Sequence, residues 1–167
     1  MAEPSELEMR SPRRADAASI HRLVRESESL EANSLYAYLL ICRDFSQTSL
    51  VACDREGLLG FVAGYRLPEK PEAVFVWQIG VARRARRRGV AKKMLARLCE
   101  AERARGTRYL EATVAPSNAP SRGLFQSLAE SLSTPLQILP GFTIDEFGDE
   151  PHEAEELIRI GPLQENP

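Results

Sequence analysis

The stretch "DEFGDEPHEAEE", Asp145 to Glu156, gathers seven carboxylates around one histidine, His152. Carboxylates at that density draw in a cation, and a histidine among them can relay a proton. A site that captures an alkyl ammonium and then deprotonates it needs both kinds of group. A solvated acidic loop has the same composition, and for the stretch taken alone it is the favoured reading. A second run has the opposite sign. "RRARRRGVAKKML" begins at Arg83 and ends in Arg86, Arg87, Arg88, Gly89, Val90 and Ala91 before an amphipathic segment. Clustered arginines serve a nucleic acid, a small phosphorylated ligand, or nothing beyond solubility.

Hydrophobic periodicity supplies the elements around these groups. "LEMR" reads as a short strand. "DAASIHRLVRES" reads as a helix capped by Asp16, with Ile20, Leu23 and Val24 on one stripe. "NSLYAYLLICRDF" is a second helix opening at Asn33. "TSLVACD" and "LLGFVAGYRL" are strands separated by "REG", a hairpin signal. "AVFVWQIGVA" is the most apolar run in the chain and predicts a central strand covered on both faces. A helix follows the arginines and stops at Gly106; "YLEATVA" is a strand and "SNAPSRGLFQSLAE" a helix capped by Asn118 or Ser117. "TPLQILP" and "ELIRIGPL" complete the strands. The order predicts an α/β fold: a mixed central sheet with an antiparallel N-terminal meander, flanking helices and one parallel crossover near the middle.

The arginines lie between the most apolar strand and a helix. At such a turn the first helical N–H groups lack intrahelical partners and carry the positive end of the helix dipole. A phosphate or pyrophosphate suits that position, with Gly89 giving close backbone approach and the arginines a cationic rim. The bulk numbers agree. A net charge of −2 is not that of a dedicated nucleic-acid binder, which carries a basic excess over the whole domain. The 167 residues predict one domain, 8–162, with flexible termini at 1–7 and 163–167. No apolar segment reaches membrane-spanning length, and three scattered cysteines show no metal-ligand spacing, which predicts a cytoplasmic protein with free thiols and no metal site.

The pattern Arg86-x-x-Gly89-x-Ala91 between strand and helix resembles the pyrophosphate-binding signature of the GNAT superfamily of acetyl-CoA-dependent N-acetyltransferases. "ATVAPSNAPSRGLF" resembles the strand, asparagine and helix that flank the acyl thioester in that fold. More narrowly, "FVWQIGVARRARRRGVAKKML", "PSNAPSR" and the tail "DEFGDEPHEAEELIRI" resemble the L-2,4-diaminobutyrate acetyltransferases of ectoine biosynthesis, over residues 8–162. The resemblance implies acetyl transfer from acetyl-CoA to the γ-amino group of L-2,4-diaminobutyrate by a homodimer, with direct attack by the amine. It implies cofactor contacts at Ile79, Val81, Arg86, Arg87, Arg88, Gly89, Val90, Ala91 and Asn118. Glu31, Tyr36, Trp77, His152 and Glu155 are the expected substrate residues, and His152 and Glu155 the expected catalytic pair. Three positions depart from the family pattern: Arg87 replaces a frequent glycine, Glu31 a frequent aspartate, and Phe125 the tyrosine that protonates the leaving thiolate in many members. An acetyltransferase for a polyamine or a protein amine fits the same residues, and so does an acetyl-CoA-binding module without catalysis.

Overall fold

The computed structural model describes residues 7–164. Its strands are β1 (Glu8–Arg10), β2 (Leu50–Asp54), β3 (Gly57–Leu67), β4 (Lys70–Val81), β5 (Tyr109–Val114), β6 (Leu136–Phe142) and β7 (Glu155–Ile160). Its α-helices are α1 (Ala17–Glu26), α2 (Leu35–Asp44), α3 (Val90–Arg103) and α4 (Ala119–Ser131). Every element predicted from periodicity is present. Two helix starts differ from expectation. Ser34, not Asn33, caps α2, its Oγ accepting from the Ala37 amide at 3.3 Å. Asp16 precedes α1 without capping it. Its carboxylate takes both Arg10 Nη1 and Nη2, at 2.7 and 2.9 Å, and the Arg13 amide at 2.6 Å. A guanidinium presents two parallel charged donors, which outweigh one neutral N–H.

The chain divides into two compact units, the first comprising residues through Tyr65 and Gln78–Leu98, the second Arg66–Trp77 and Cys99 onward. In the first unit the strand order is β1-β2-β3-β4, and β1, β2 and β3 form the antiparallel meander, in register at Met9↔Ala52 and Val51↔Phe61. Its core packs Ile20 and Val24 of α1 with Tyr38 and Ile41 of α2 against Val51 and Phe61 of the strands. Gly80 belongs to this packing through its missing side chain. A Cβ there would stand 2.7 Å from Leu30 Cδ1 and 2.8 Å from Phe61 Cε1, so only glycine lets Leu30 settle on the strand.

In the second unit the order is β4-β5-β7-β6. β4 runs parallel to β5 from Ala73↔Tyr109 to Phe75↔Glu111; β5 and β6 each pair antiparallel with β7. Two buried carboxylates are satisfied by cations. Glu102 accepts from Arg66, Arg105 and Thr107, each at 2.9 Å, and Glu111 from Arg159 at 2.7 Å. Burial without such partners would cost several kcal/mol. The expected flexible terminus at 1–7 lies outside the described residues except for Leu7, and that at 163–167 except for Leu163 and Gln164, which bond to Arg108 and Arg103.

All three cysteines are free. Burial pushes the Cys42 thiol up to about 11 and that of Cys99 to about 12, and raises Cys53 as well.

The connection from β4 to α3 has left-handed backbone at two places, Gly89 (φ 71°) and Arg87 (φ 60°). For Gly89 this conformation is unstrained. For arginine it costs on the order of 1 kcal/mol, which accounts for the frequency of glycine there in the sequence pattern. Arg87→Gly is therefore expected to raise stability by about 0.5 kcal/mol at most, after the extra freedom of an unfolded glycine is subtracted. Urea denaturation measures this, and a loss of stability would show that the Arg87 side chain anchors the turn.

Candidate active site

After β4 the chain makes a single 3-10 turn at Arg83–Ala85, whose one buried residue is Ala85. Arg86 returns to extended backbone, and the two left-handed residues then lead into Val90, which is buried and starts α3. The backbone is left-handed on both sides of Arg88, and left-handed residues in a turn are a component of the backbone nests that anions occupy. The first N–H groups of α3 add the helix dipole. A Cβ built on Gly89 meets nothing within 4 Å, so the space in front of it is open.

The arginine run divides in two. Arg84 makes a bidentate pair with Asp54 at 2.8 and 2.9 Å and also reaches Glu56 at 3.3 Å. Asp54, whose side chain is 4 % exposed, is held well below the usual carboxylate range, chiefly by its hydrogen bond from Arg84. Arg83 lies 3.3 Å from Glu28. Arg86, Arg87 and Arg88 are exposed, and among the described residues no carboxylate pairs with them. Beside the turn is a cavity of about 630 Å³, walled by Arg22 and Glu26 of α1, Gly57 and Leu58 of β3, Val81 and Arg86. The Asp54–Arg84 pair carries no sequence motif, because the partners lie 30 residues apart without any spacing rule.

In the same unit, Glu31 is exposed in the connection between α1 and α2, and Tyr36 stands 67 % exposed on α2. Gln78 of β4 bridges to this region. Its Nε2 donates to the Glu31 carbonyl at 2.9 Å, and its Oε1 accepts from the buried Tyr38 hydroxyl at 2.7 Å. Ile79 and Val81 follow on β4, both half-buried.

The second unit holds the remaining residues. Trp77 is 39 % exposed on β4, so it is no core tryptophan. Asn118 caps α4, its Oδ1 accepting from the Ser121 amide at 3.2 Å, which leaves its Nδ2 to meet a ligand. Phe125 is buried on α4 and carries no hydroxyl. His152 stacks on Phe147, with centroids 3.8 Å apart and 14° between planes. Its Nδ1 lies 2.6 Å from the Glu153 carbonyl, which only accepts, so Nδ1 carries a hydrogen. Nε2 then points toward the Glu155 carboxylate at 3.7 Å, beyond direct hydrogen-bond length.

The acidic stretch is less free than its composition implies. Glu146 bonds the Thr143 amide, Glu153 the Ser117 hydroxyl, and Glu156 lies 2.5 Å from Arg122. Asp145, Glu155 and Glu156 border a shallow cavity of about 500 Å³ with Phe142 and Ile144.

Residues 14–129 match the model of the acetyltransferase (GNAT) family. The chain is 42 % identical to the L-2,4-diaminobutyric acid acetyltransferase of Bordetella parapertussis over 160 residues, covering 95 % of this chain and 86 % of the relative. It is 43 % identical to the enzyme of the same name from Streptomyces coelicolor, covering 97 % and 96 %. Among solved structures it resembles the diaminobutyrate acetyltransferase EctA of Paenibacillus lautus, in complex with L-2,4-diaminobutyric acid and coenzyme A. That match has a TM-score of 0.90 at 38 % identity and covers 98 % of this chain and 99 % of the other. The signature at Arg86–Ala91, the fold and the similarity along nearly the whole chain lead to one conclusion: this chain belongs to the acetyltransferase (GNAT) family and resembles its diaminobutyrate acetyltransferases.

Proposed function

We propose that this protein transfers the acetyl group of acetyl-CoA to the γ-amino group of L-2,4-diaminobutyrate, giving N-γ-acetyl-2,4-diaminobutyrate and CoA, as a step of ectoine biosynthesis. The observation that carries this reading is the near full-length match to a relative solved with both diaminobutyric acid and coenzyme A. The catalytic domain spans 8–162.

The chemistry assigns the residues. An alkyl ammonium of pKa ~10.4 is neutral in only about one molecule in a few thousand at pH 7, so the amine must lose a proton before it attacks. Nε2 of His152 has the free lone pair for that proton, because Nδ1–H is committed to the Glu153 carbonyl. Glu155, 3.7 Å from Nε2, stabilises the resulting imidazolium and contributes to holding the substrate ammonium. Glu31, Tyr36 and Trp77 bind the acceptor; an indole face meets an ammonium with about 0.5–2 kcal/mol.

The amine nitrogen attacks the thioester carbonyl carbon directly. The C–N bond forms, the nitrogen gives its second proton to water, the C–S bond breaks, and the sulfur leaves as thiolate. Backbone N–H groups of Ile79 and Val81 stabilise the oxyanion. Arg86, Arg87 and Arg88 with the amides of Gly89, Val90 and Ala91 hold the pyrophosphate, and Asn118 holds the pantetheine arm. Phe125 has no proton to give. The thiolate therefore takes its proton from water or from the imidazolium.

The protein acts in the cytoplasm as a homodimer. Three free thiols suit a reducing compartment, and the exposed apolar side chains Leu35, Leu39 and Phe45 suit burial against a second copy.

Three measurements test this reading. In an acceptor screen, kcat/KM for diaminobutyrate is expected to exceed that for ornithine, lysine and spermidine, and a preference for spermidine would replace the proposed substrate with a polyamine. His152→Ala is expected to lower kcat by about 100-fold or more while CoA binding by calorimetry stays within about twofold; equal loss of both would remove the base from His152. Light scattering of the purified chain is expected to give twice the mass of one copy, and a single-copy mass at micromolar concentration would refute the dimer.

A further inference from the structure

From Ala73 to Val81 of the central strand β4 one side chain is polar, the glutamine of "VWQIGV". A polar group half-buried in such surroundings must be partnered, and Gln78 uses both ends of its amide. Glu31 O is a carbonyl and only accepts, so it requires Nε2 facing it, at 2.9 Å. Oε1 then faces the Tyr38 hydroxyl at 2.7 Å, which must donate. Tyr38 is fully buried, with its ring edge-on to Phe61 at 6.1 Å, so the hydroxyl is a fixed point. The chain from core phenol to strand amide to loop carbonyl thus has one possible hydrogen-bond direction at every link.

The loop after α1 has few other supports. Leu30 rests on Gly80, and Asn33 Nδ2 reaches Glu31 O and Tyr38 Oη only at 3.4 and 3.5 Å. The shortest polar tie on Glu31 is the one from Gln78. We infer that Gln78, oriented by Tyr38, is a positioning residue that fixes the Glu31 loop for acceptor binding; this rests on the reading of Glu31 as a substrate residue. Gln78 acts on Glu31 through the main chain, which leaves the Glu31 carboxylate free for the ammonium.

The test uses Q78M, Q78E and Y38F in the full chain. Q78M keeps the length of the side chain and removes both hydrogen bonds. Q78E still accepts from Tyr38 but sets a carboxylate oxygen against the Glu31 carbonyl. Y38F keeps the ring packing and removes the donor that orients the amide. Each is expected to raise KM for diaminobutyrate about tenfold with KM for acetyl-CoA nearly unchanged, to lower thermal stability modestly through the lost buried hydrogen bond, and to speed hydrogen exchange most at the amides of residues 28–34. The Q78M/Y38F pair is expected to cost no more than Q78M alone, because both break one chain of bonds. Unchanged exchange at 28–34 in Q78M and Y38F would overturn the inference. Faster exchange with unchanged acceptor KM would overturn the link between this loop and the acceptor. Should the unaltered protein not acetylate diaminobutyrate, the proposed function falls, and the exchange measurement, which needs no substrate, still decides whether Gln78 holds the loop.

Discussion

Both carboxylate oxygens of Asp54 take both terminal nitrogens of Arg84, and the geometry leaves that guanidinium facing the β2–β3 hairpin and not the open side of the turn. The pair anchors the start of the β4–α3 connection to the antiparallel meander. The segment from Arg86 to Gly89 is exposed and includes two left-handed residues, a conformation that stays in place only when its ends are fixed. A run that looks uniform in sequence is therefore two functional parts: cations that build the turn and cations that surround it. The anion-binding reading depends on this division, because arginines already paired would have little to offer a diphosphate.

The acidic stretch shows the same economy with the signs reversed. Carboxylates that attract an ammonium also hold its proton in place, so a site with seven free ones would capture the acceptor and never activate it. In the fold, Glu146 closes a turn, Glu153 meets Ser117 and Glu156 meets Arg122. Those bonds fix the segment on the loop and first turn of α4 and reduce its unpaired negative charge. Against this reduced field stands one imidazole, held flat on Phe147 with its tautomer set by a main-chain carbonyl. Orientation of the imidazole and moderation of the charge are produced by the same few residues.

Much of this architecture is legible in the chain. Every strand and helix is implied by periodicity, since long apolar patterns bounded by Gly, Pro and Asn leave little choice. The position of the β4–α3 turn is legible for the same reason, and the glycine-like demand at Arg87 shows as a departure from a familiar pattern. Helix caps are less so: Ser34 and Asn33 are adjacent and chemically equivalent as caps, and Asp16 is drawn away by Arg10, which no local rule reports. Contacts between side chains distant in sequence, such as Asp54 with Arg84 and Gln78 with Tyr38, are not legible, because pairing across tens of residues is decided by topology. Nor does sequence tell which of the acidic residues are engaged. Charge can be counted along a chain, but its neutralisation belongs to three dimensions.

The sulfur chemistry has a practical side. With thiols at about 11 and 12, Cys42 and Cys99 hold almost no thiolate at neutral pH, and both are shielded from bulk water. Thiolate is the form that attacks disulfides and alkylating reagents. In the native fold these two sulfurs are silent toward chromogenic reagents that titrate small mercaptans, so the colour developed during turnover comes with little background from them.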